Sequence, residues 1–198
     1  MGKTLELLGM MAFNVTLILV ASAALLNKAS PAAAPISFLT EENITAFVRE
    51  VTAVSGGESG RDAYSVTEFL IDHIAADATF KAVVKYDMPG DGTQEEVLSL
   101  EKMDFIGRVL EGQKTMQNHQ SDVTLEYAVI APDGKTARIM TTSRENGGLP
   151  TTDPFGDSVV VSVGSTSYCE QGLSLDESGH IQIKIADCTT YIEFGDVL

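Results

Sequence analysis

The chain has 198 residues, 44% of them hydrophobic, 7% aromatic and none of them Trp, with 13 basic against 28 acidic side chains and a formal net charge of -15 at pH 7. That apolar content is too high for a disordered chain, and the length suffices for one domain with a sizeable core plus an appendage. The charge excludes an electrostatic grip on nucleic acid or on a bare anionic membrane surface, because no cluster of Lys and Arg is present to displace counterions.

Residues 7–26 read LLGMMAFNVTLILVASAALL with no charged side chain, flanked by Lys3 and Glu6 before and Lys28 after. Two readings fit. In one, Lys3 is a thin n-region, Val15 to Leu26 the apolar core, and Ala29, Ser30, Ala32, Ala33 and Ala34 the small residues at which a signal peptidase acts. In the other, the same run meets the roughly 20-residue requirement for spanning a bilayer and is retained as a single-span anchor. The run carries no polar stripe at helical spacing, which argues against a buried amphipathic helix. Either route exports the rest of the chain, as a periplasmic or secreted protein or one anchored in the inner membrane, and membrane contact is expected only through residues 7–26 if they are uncleaved. The linker KASPAAAPIS, with two prolines among small residues, separates this segment from a folded part that starts near Phe38. The expected division is therefore residues 1–34 as signal or anchor with linker and residues 35–198 as one domain. The removable part holds Lys3, Lys28 and a single acidic residue, Glu6, so the acidity belongs to the domain.

Within that domain, Thr40 precedes Glu41 and Glu42, and Ile44, Phe47, Val48 and Val51 follow at helical spacing, which predicts a capped helix ended by SGGESG at 55–60. A second helix is predicted from about Asp62 to Ala75 on the stripe Val66, Phe69, Leu70 and His73 or Ile74. Thr79 to Tyr86 alternates loosely as a short strand, and DMPGDGTQEE at 87–96 reads as the polar turn that closes it. Ser99 is the expected cap of a third helix, Leu100 to Gln113. After Thr115 the period falls to two. Val123, Leu125, Tyr127 and Val129 alternate with polar positions, and Ala137, Ile139 and Thr141 return after the turn Pro132-Asp133-Gly134, predicting a hairpin. The Gly- and Pro-rich stretch ENGGLPTTDPFGD at 145–157 reads as a connection to a long strand, Ser158 to Leu175, and a last strand runs from His180 to Phe194.

If Ser178-Gly179 is a two-residue hairpin loop, Glu177 faces His180 and Cys169 falls opposite Cys188. Directly opposed residues on antiparallel strands bring their Cβ atoms about 4.5 to 5.5 Å apart, near enough to bridge with modest adjustment. An exported domain with two cysteines is expected to oxidise them. A four-residue loop, Asp176 to Gly179, would instead set Cys169 opposite Ala186 and leave two reduced core thiols. The two-residue register also opposes Glu170 to Asp187, a like-charge pair that a bulge or an exposed edge would explain.

The order helix, helix, short strand, helix and antiparallel sheet over residues 38–194 resembles the nuclear transport factor 2-like superfamily, also called SnoaL-like. The wording VTEFLIDHIAADATFKAVV, which leaves a helix through an Asp into a strand, and the final hairpin YCEQGLSLDESGHIQIKIADCTTY carry the resemblance. It implies an α+β fold in which three N-terminal helices pack on a curved antiparallel sheet, a cone-shaped roll that is also described as cystatin-like. It further implies an internal cavity, an apolar small molecule or a protein as partner, and a homodimer through the sheet; nucleic acid is already excluded by the charge. Fold alone does not fix function.

Enzymes of that superfamily set a carboxylate or His in an apolar cone, where desolvation tunes it. The cavity candidates here are Tyr64, His73, Asp77, Tyr127 and Tyr168, with Asp72 beside His73 and His119 ahead of the sheet as further polar groups. None is assigned a catalytic role. Adjacent Asp72 and His73 point about 100° apart on a helix and do not bond readily, Asp77 suits a helix end, and His180 suits a hairpin tip in water. The Asp-rich loop at 87–92 lacks the ligand spacing of a calcium loop, and the sequence has no phosphate loop, HExxH, GxSxG or Cys-His pair, so no cofactor and no metal are expected. The leading expectation is an exported, non-catalytic binding or accessory domain. The alternatives are a membrane-anchored assembly subunit, similar in layout to single-span components of type IV secretion systems or to Mce-associated proteins, and a small-substrate isomerase or lyase. The last requires a buried carboxylate or His with a shifted pKa.

Overall fold

In a computed structural model, residues 35–88, 92–153 and 155–197 are described. The predicted signal or anchor and the centre of the DMPGDG loop lie outside them. The elements are α1 (Glu41–Ser55), α2 (Ala63–His73), β1 (Ile74–Met88), β2 (Gly92–Glu101), α3 (Lys102–Thr115), β3 (Gln117–Ile130), β4 (Thr136–Thr152), β5 (Ser158–Leu175) and β6 (Ile181–Val197). The strands form one six-stranded sheet in the order β2-β1-β6-β5-β4-β3, and the helices pack on one face of it, the α+β arrangement that the resemblance implied.

Local chemistry explains the helix ends. Thr40 caps α1 in a reciprocal box with Asn43, and Asp62 caps α2 through the Ser65 amide. The Gln113 side chain of α3 donates to the Val54 and Ser55 carbonyls, closing the C-terminus of α1. Lys102 does the same for α2, reaching the Ile71 and Ile74 carbonyls. Apolar stripes then meet over the sheet: Ile44, Val51 and Val54 of α1, Val66 and Leu70 of α2, and Ile106 and Val109 of α3 are buried against Ile139, Leu173, Ile181 and Ile183. Phe105 stacks on Phe80 at 4.1 Å. Each such side chain contributes about 1.5 to 3 kcal/mol of burial.

Four expectations are corrected. The sheet is not wholly antiparallel: β1 runs parallel to β6, its neighbour in space though not in sequence. Of the stretch read as turn at 87–96, residues 92–96 open β2, an edge strand whose mostly exposed side chains leave little hydrophobic signature. Ser99 therefore lies on a strand, and α3 starts after Glu101 with no side-chain cap. Finally, β4 does not stop at the glycines but runs on through Thr152. Gly147 and Gly148 are there for close approach: a Cβ on Gly147 would sit 2.8 Å from Met116 Cε, and one on Gly148 would sit 2.6 Å from Val160. Pro150 lies past the last β3 partner, on a part of β4 that pairs with β5 alone among the described residues, the edge-strand setting in which proline is tolerated.

The final hairpin reaches the predicted cysteine register by a different route. Its turn spans Asp176 to His180, with Gly179 at a φ of 84° and the Asp176 carboxylate accepting from the Ser178 and His180 amides. That loop shifts the strands by one residue, and an extra residue in β6, Lys184, shifts them back between Leu173 and Gly172. Cys169 then faces Cys188 and the two form a disulfide. Glu170 faces Asp187 as expected, on interior strands rather than an edge; Arg138 pairs with Glu170, and Lys81 stands across from Asp187.

Candidate functional site

Alternation decides which side chains enter the interior. Along β4, Ala137, Ile139, Thr141, Ser143 and Glu145 are buried in turn; along β5, Val163, Ser165, Ser167, Cys169, Gln171 and Leu173 are. The inner face is thus apolar near the β5–β6 turn and polar further along. Two polar pairs there are closed: Ser167 with Thr190 at 2.9 Å, and Gln171 donating to Thr141 at 3.1 Å.

The next row is different. Ser121 of β3, Glu145 of β4 and Ser165 of β5 stand opposite one another across three strands. His119, two residues before Ser121, brings its Nε2 to 3.6 Å from Glu145 Oε2, with side chains 7% and 1% exposed. At that separation the two are in electrostatic contact and a small movement from a hydrogen bond. His119 Nδ1 lies 3.1 Å from the Gly56 carbonyl just past α1. A carbonyl only accepts, so Nδ1 carries the proton and the neutral ring presents a bare Nε2 to Glu145. Glu58 accepts from the Ser121 amide and ties the same end of α1 to β3. Both Glu145 oxygens, His119 Nε2, and the hydroxyls of Ser121, Ser165, Thr52 and Ser55 are buried with no hydrogen-bond partner among the described residues. Unsatisfied buried polar atoms are rare in folded proteins, and five of these seven belong to His119, Glu145 and the two serines opposite Glu145.

Burial pushes the Glu145 carboxyl up to about 7, against the opposing pull of His119, while Glu58 adds to the rise. For His119, burial alone would lower the pKa, but the Glu145 carboxylate, the Gly56 carbonyl and Glu58 outweigh it and the net direction is up. A buried carboxyl raised toward neutrality and a raised His beside it are the kind of pair between which a proton can pass, the property that general acid–base chemistry needs. Among the described residues no three His, Cys, Asp or Glu side chains converge to hold a metal ion.

The nominated cavity residues fall elsewhere. Tyr64 is 71% exposed on the first turn of α2, on the side away from its buried stripe. Asp77 is exposed and pairs with Lys184, the extra residue of β6. Tyr127 reaches the outer face because Glu126 is an extra residue in β3, so Leu125 and Ala128 point in while Tyr127 and Val129 point out. Tyr168 sits between inward Ser167 and Cys169, hence outward, edge-on to Tyr191. His73 is half-buried between Phe47 and Phe69 with Nδ1 2.8 Å from the Ile181 carbonyl, and burial lowers its pKa. It lines an open groove of about 710 Å³ with Ile36, Phe47, Glu50, His180 and Ile181. His119, noted in the sequence, belongs to the buried pair; Glu145 was hidden in what read as a loop. Continuing the odd-numbered alternation from Ala137 would have placed it inside.

No family model matches the chain, and no curated protein matches it. Among solved structures, a conserved protein from Planctomyces limnophilus is similar, with 14% identity, a TM-score of 0.49 and coverage of 77% of this chain and 94% of its own. A domain of unknown function with a cystatin-like fold from Nostoc punctiforme shares 12% identity at a TM-score of 0.47, covering 76% of this chain and 78% of its own. A hexachlorocyclohexane dehydrochlorinase shares 10% identity at a TM-score of 0.44, covering 78% and 90%.

Proposed function

We propose that the domain takes a small organic molecule into its interior and moves a proton on it, as a small-substrate isomerase or lyase does. The observation that carries this reading is Glu145: a fully buried carboxyl, raised to about 7, beside a His whose tautomer is fixed by a backbone carbonyl. A structural ion pair gains nothing from leaving both carboxylate oxygens unbonded in the interior, whereas a base that must meet substrate has to keep them so. The carboxylate is the base, and His119 holds or returns the proton. The test is exchange of α-hydrogens of simple ketones and β-keto esters into deuterated water, followed by proton NMR. Wild type should accelerate exchange for at least one class, and Glu145→Gln should abolish it while the chain stays folded. Exchange at the solvent rate with every compound, or an unchanged rate in Glu145→Gln, overturns the reading.

A second reading, a non-catalytic binding domain, draws support from the open groove at His73, whose volume suits a small ligand. It is the reading left standing if exchange fails while ligands still shift His73 resonances. For location, the Cys169–Cys188 disulfide supports an oxidising compartment, and among the described residues no helix is long and apolar enough to cross a membrane. We propose export, by either fate of residues 7–26. The intact mass of the mature protein tests which: loss of about 34 residues excludes the anchored assembly subunit, and an uncleaved chain in the membrane fraction excludes the secreted form.

A further inference from the structure

The groove at His73 selects by chemistry as well as by size. Its walls are apolar, with Ile36 ahead of α1, Phe47 on α1 and Ile181 at the start of β6. Its polar groups are nearly all acceptors. His73 Nδ1 lies 2.8 Å from the Ile181 carbonyl, which only accepts, so Nδ1 carries the proton and Nε2 is bare, in a ring that burial favours in its neutral form. Nε2 has no partner among the described residues and is not a buried atom, so it faces the groove that the ring lines. Glu50 follows Phe47 by one turn on the same face of α1, and its charge acts on the His73 ring. Its Oε1 takes Arg61 at 2.7 Å, while Oε2 has no partner among the described residues. Asn43 is already used by the helix cap, accepting from the Thr40 amide and donating to the Phe38 carbonyl. No Lys or Arg is among the described residues that line the groove.

A ligand that fits must therefore bring donors, and charge decides which kind. Glu50 is the one lining group with a permanent charge; the imidazoles of His73 and His180, 5.5 Å apart, are the others that titrate. A carboxylate would meet both the Glu50 charge and the bare Nε2, and is repelled by each. A neutral alcohol can bond to one acceptor at a time through its single O–H. We propose that the groove binds a primary amine carried on a small apolar body, with the ammonium between Glu50 Oε2 and His73 Nε2 and the body against Phe47, Ile36 and Ile181. This rests on the reading of the groove as a small-ligand site and is independent of the Glu145 and His119 pair.

Three further features favour the amine. An ammonium has three N–H donors and no acceptor, enough to serve both groups and still meet water. Hydrogen bonds to a charged group are about twice as strong as neutral ones, and the face of an aromatic ring such as Phe47 attracts a cation besides. The net charge of -15 draws cations toward the whole chain, while the groove sorts them by the apolar body they carry. A volume of about 710 Å³ lies within the range of small-molecule sites.

Full-length wild type is titrated at about pH 8, above the ordinary imidazole range, and about 0.15 M salt, by calorimetry and by NMR of the His73 ring. The probes are 2-phenylethylamine, 2-phenylethanol and 3-phenylpropanoate, which share an apolar body and differ in the head group. The amine should bind about tenfold more tightly than the alcohol, and the carboxylate more weakly than either. Glu50→Gln should lose about tenfold for the amine and leave the alcohol unchanged. Its melting temperature should hardly move, because the ion pair it removes is exposed. Ala46→Phe, at an exposed position of α1 that lines the groove, fills the site without altering the net charge. It should abolish binding of amine and alcohol alike, which separates the groove from diffuse attraction of a cation to an acidic chain. Equal affinity for amine and alcohol, or an amine affinity unchanged in Glu50→Gln or in Ala46→Phe, overturns the proposal. Alcohol binding that Ala46→Phe removes, with no preference for the amine, leaves the groove a small-ligand site and removes only the amine. Binding of none of the probes removes both, and neither result bears on hydrogen exchange at Glu145.

Discussion

Replacing Glu145 by Gln should make the protein more stable at alkaline pH and nearly insensitive to pH through neutrality. The Glu145 carboxyl is raised from an ordinary 4.5 to about 7 in the fold. A raised acid holds its proton more tightly folded than unfolded, so its contribution is complete below about pH 4.5 and is lost as pH rises through about 7. At 1.36 kcal/mol per unit, the loss is about 3 kcal/mol. His119 is also raised, so its contribution has the same sign and is lost as pH climbs above its ordinary 6.5. Gln keeps the shape, cannot ionise, and removes the partner that raises His119. At pH 8.5 Glu145→Gln should therefore exceed wild type by up to about 3 kcal/mol, which for a chain of this size is roughly 6 to 12 °C in melting temperature. Urea titrations followed by circular dichroism at intervals from pH 5 to 8.5 measure both curves. Parallel curves, or a Glu145→Gln variant less stable throughout, would show that burial does not raise the carboxyl, and the acid–base reading would lose its physical basis. A variant that is more stable yet inactive is the pattern expected where a destabilised group is kept for function.

The disulfide closes a loop of 19 residues across the two central strands, so removing it by Cys169→Ala with Cys188→Ala should cost about 3 kcal/mol, read as a lower urea midpoint matched by wild type in reductant. No difference between oxidised and reduced wild type would refute the pairing. Gly179→Ala combines a φ of 84° with a Cβ only 2.8 Å from the Ile36 amide nitrogen. It should destabilise by at least about 1 kcal/mol, whereas Gly107→Ala, in open space on α3, should stabilise slightly. Equal midpoints for the two alanine variants would contradict the turn geometry.

Much of the local structure was legible in the residues. Thr40 and Asp62 announce two helix starts because a capping side chain acts within three residues, and β5 is bounded as its alternation says, since it lies at the centre of the sheet with a full inner face. The cysteine pairing was legible too, although through two features that cancel: a longer turn held by Asp176, and the extra residue Lys184. A bulge leaves no mark in composition, and for the same reason Glu126 turned Tyr127 outward against a clean alternating pattern.

The site was the least legible part, and the reason is physical. Glycines at 147 and 148 and a proline at 150 signal a loop when only chain neighbours are considered; here they answer to Met116, to Val160 and to the end of β3 pairing at Gly148, which local sequence does not show. A lone glutamate in such a stretch reads as solvated, because the free energy of burying a charge depends on what covers it and not on its neighbours in the chain. The sequence by itself determined the acidity of the chain, the starts of the first two helices, the alternation of the central hairpin and which two cysteines could face each other. Only the tertiary structure set β1 beside β6, carried β4 past its glycines, and brought Glu145 from one strand and His119 from another into the same buried interior, since each of those outcomes is fixed by contacts between residues far apart along the chain.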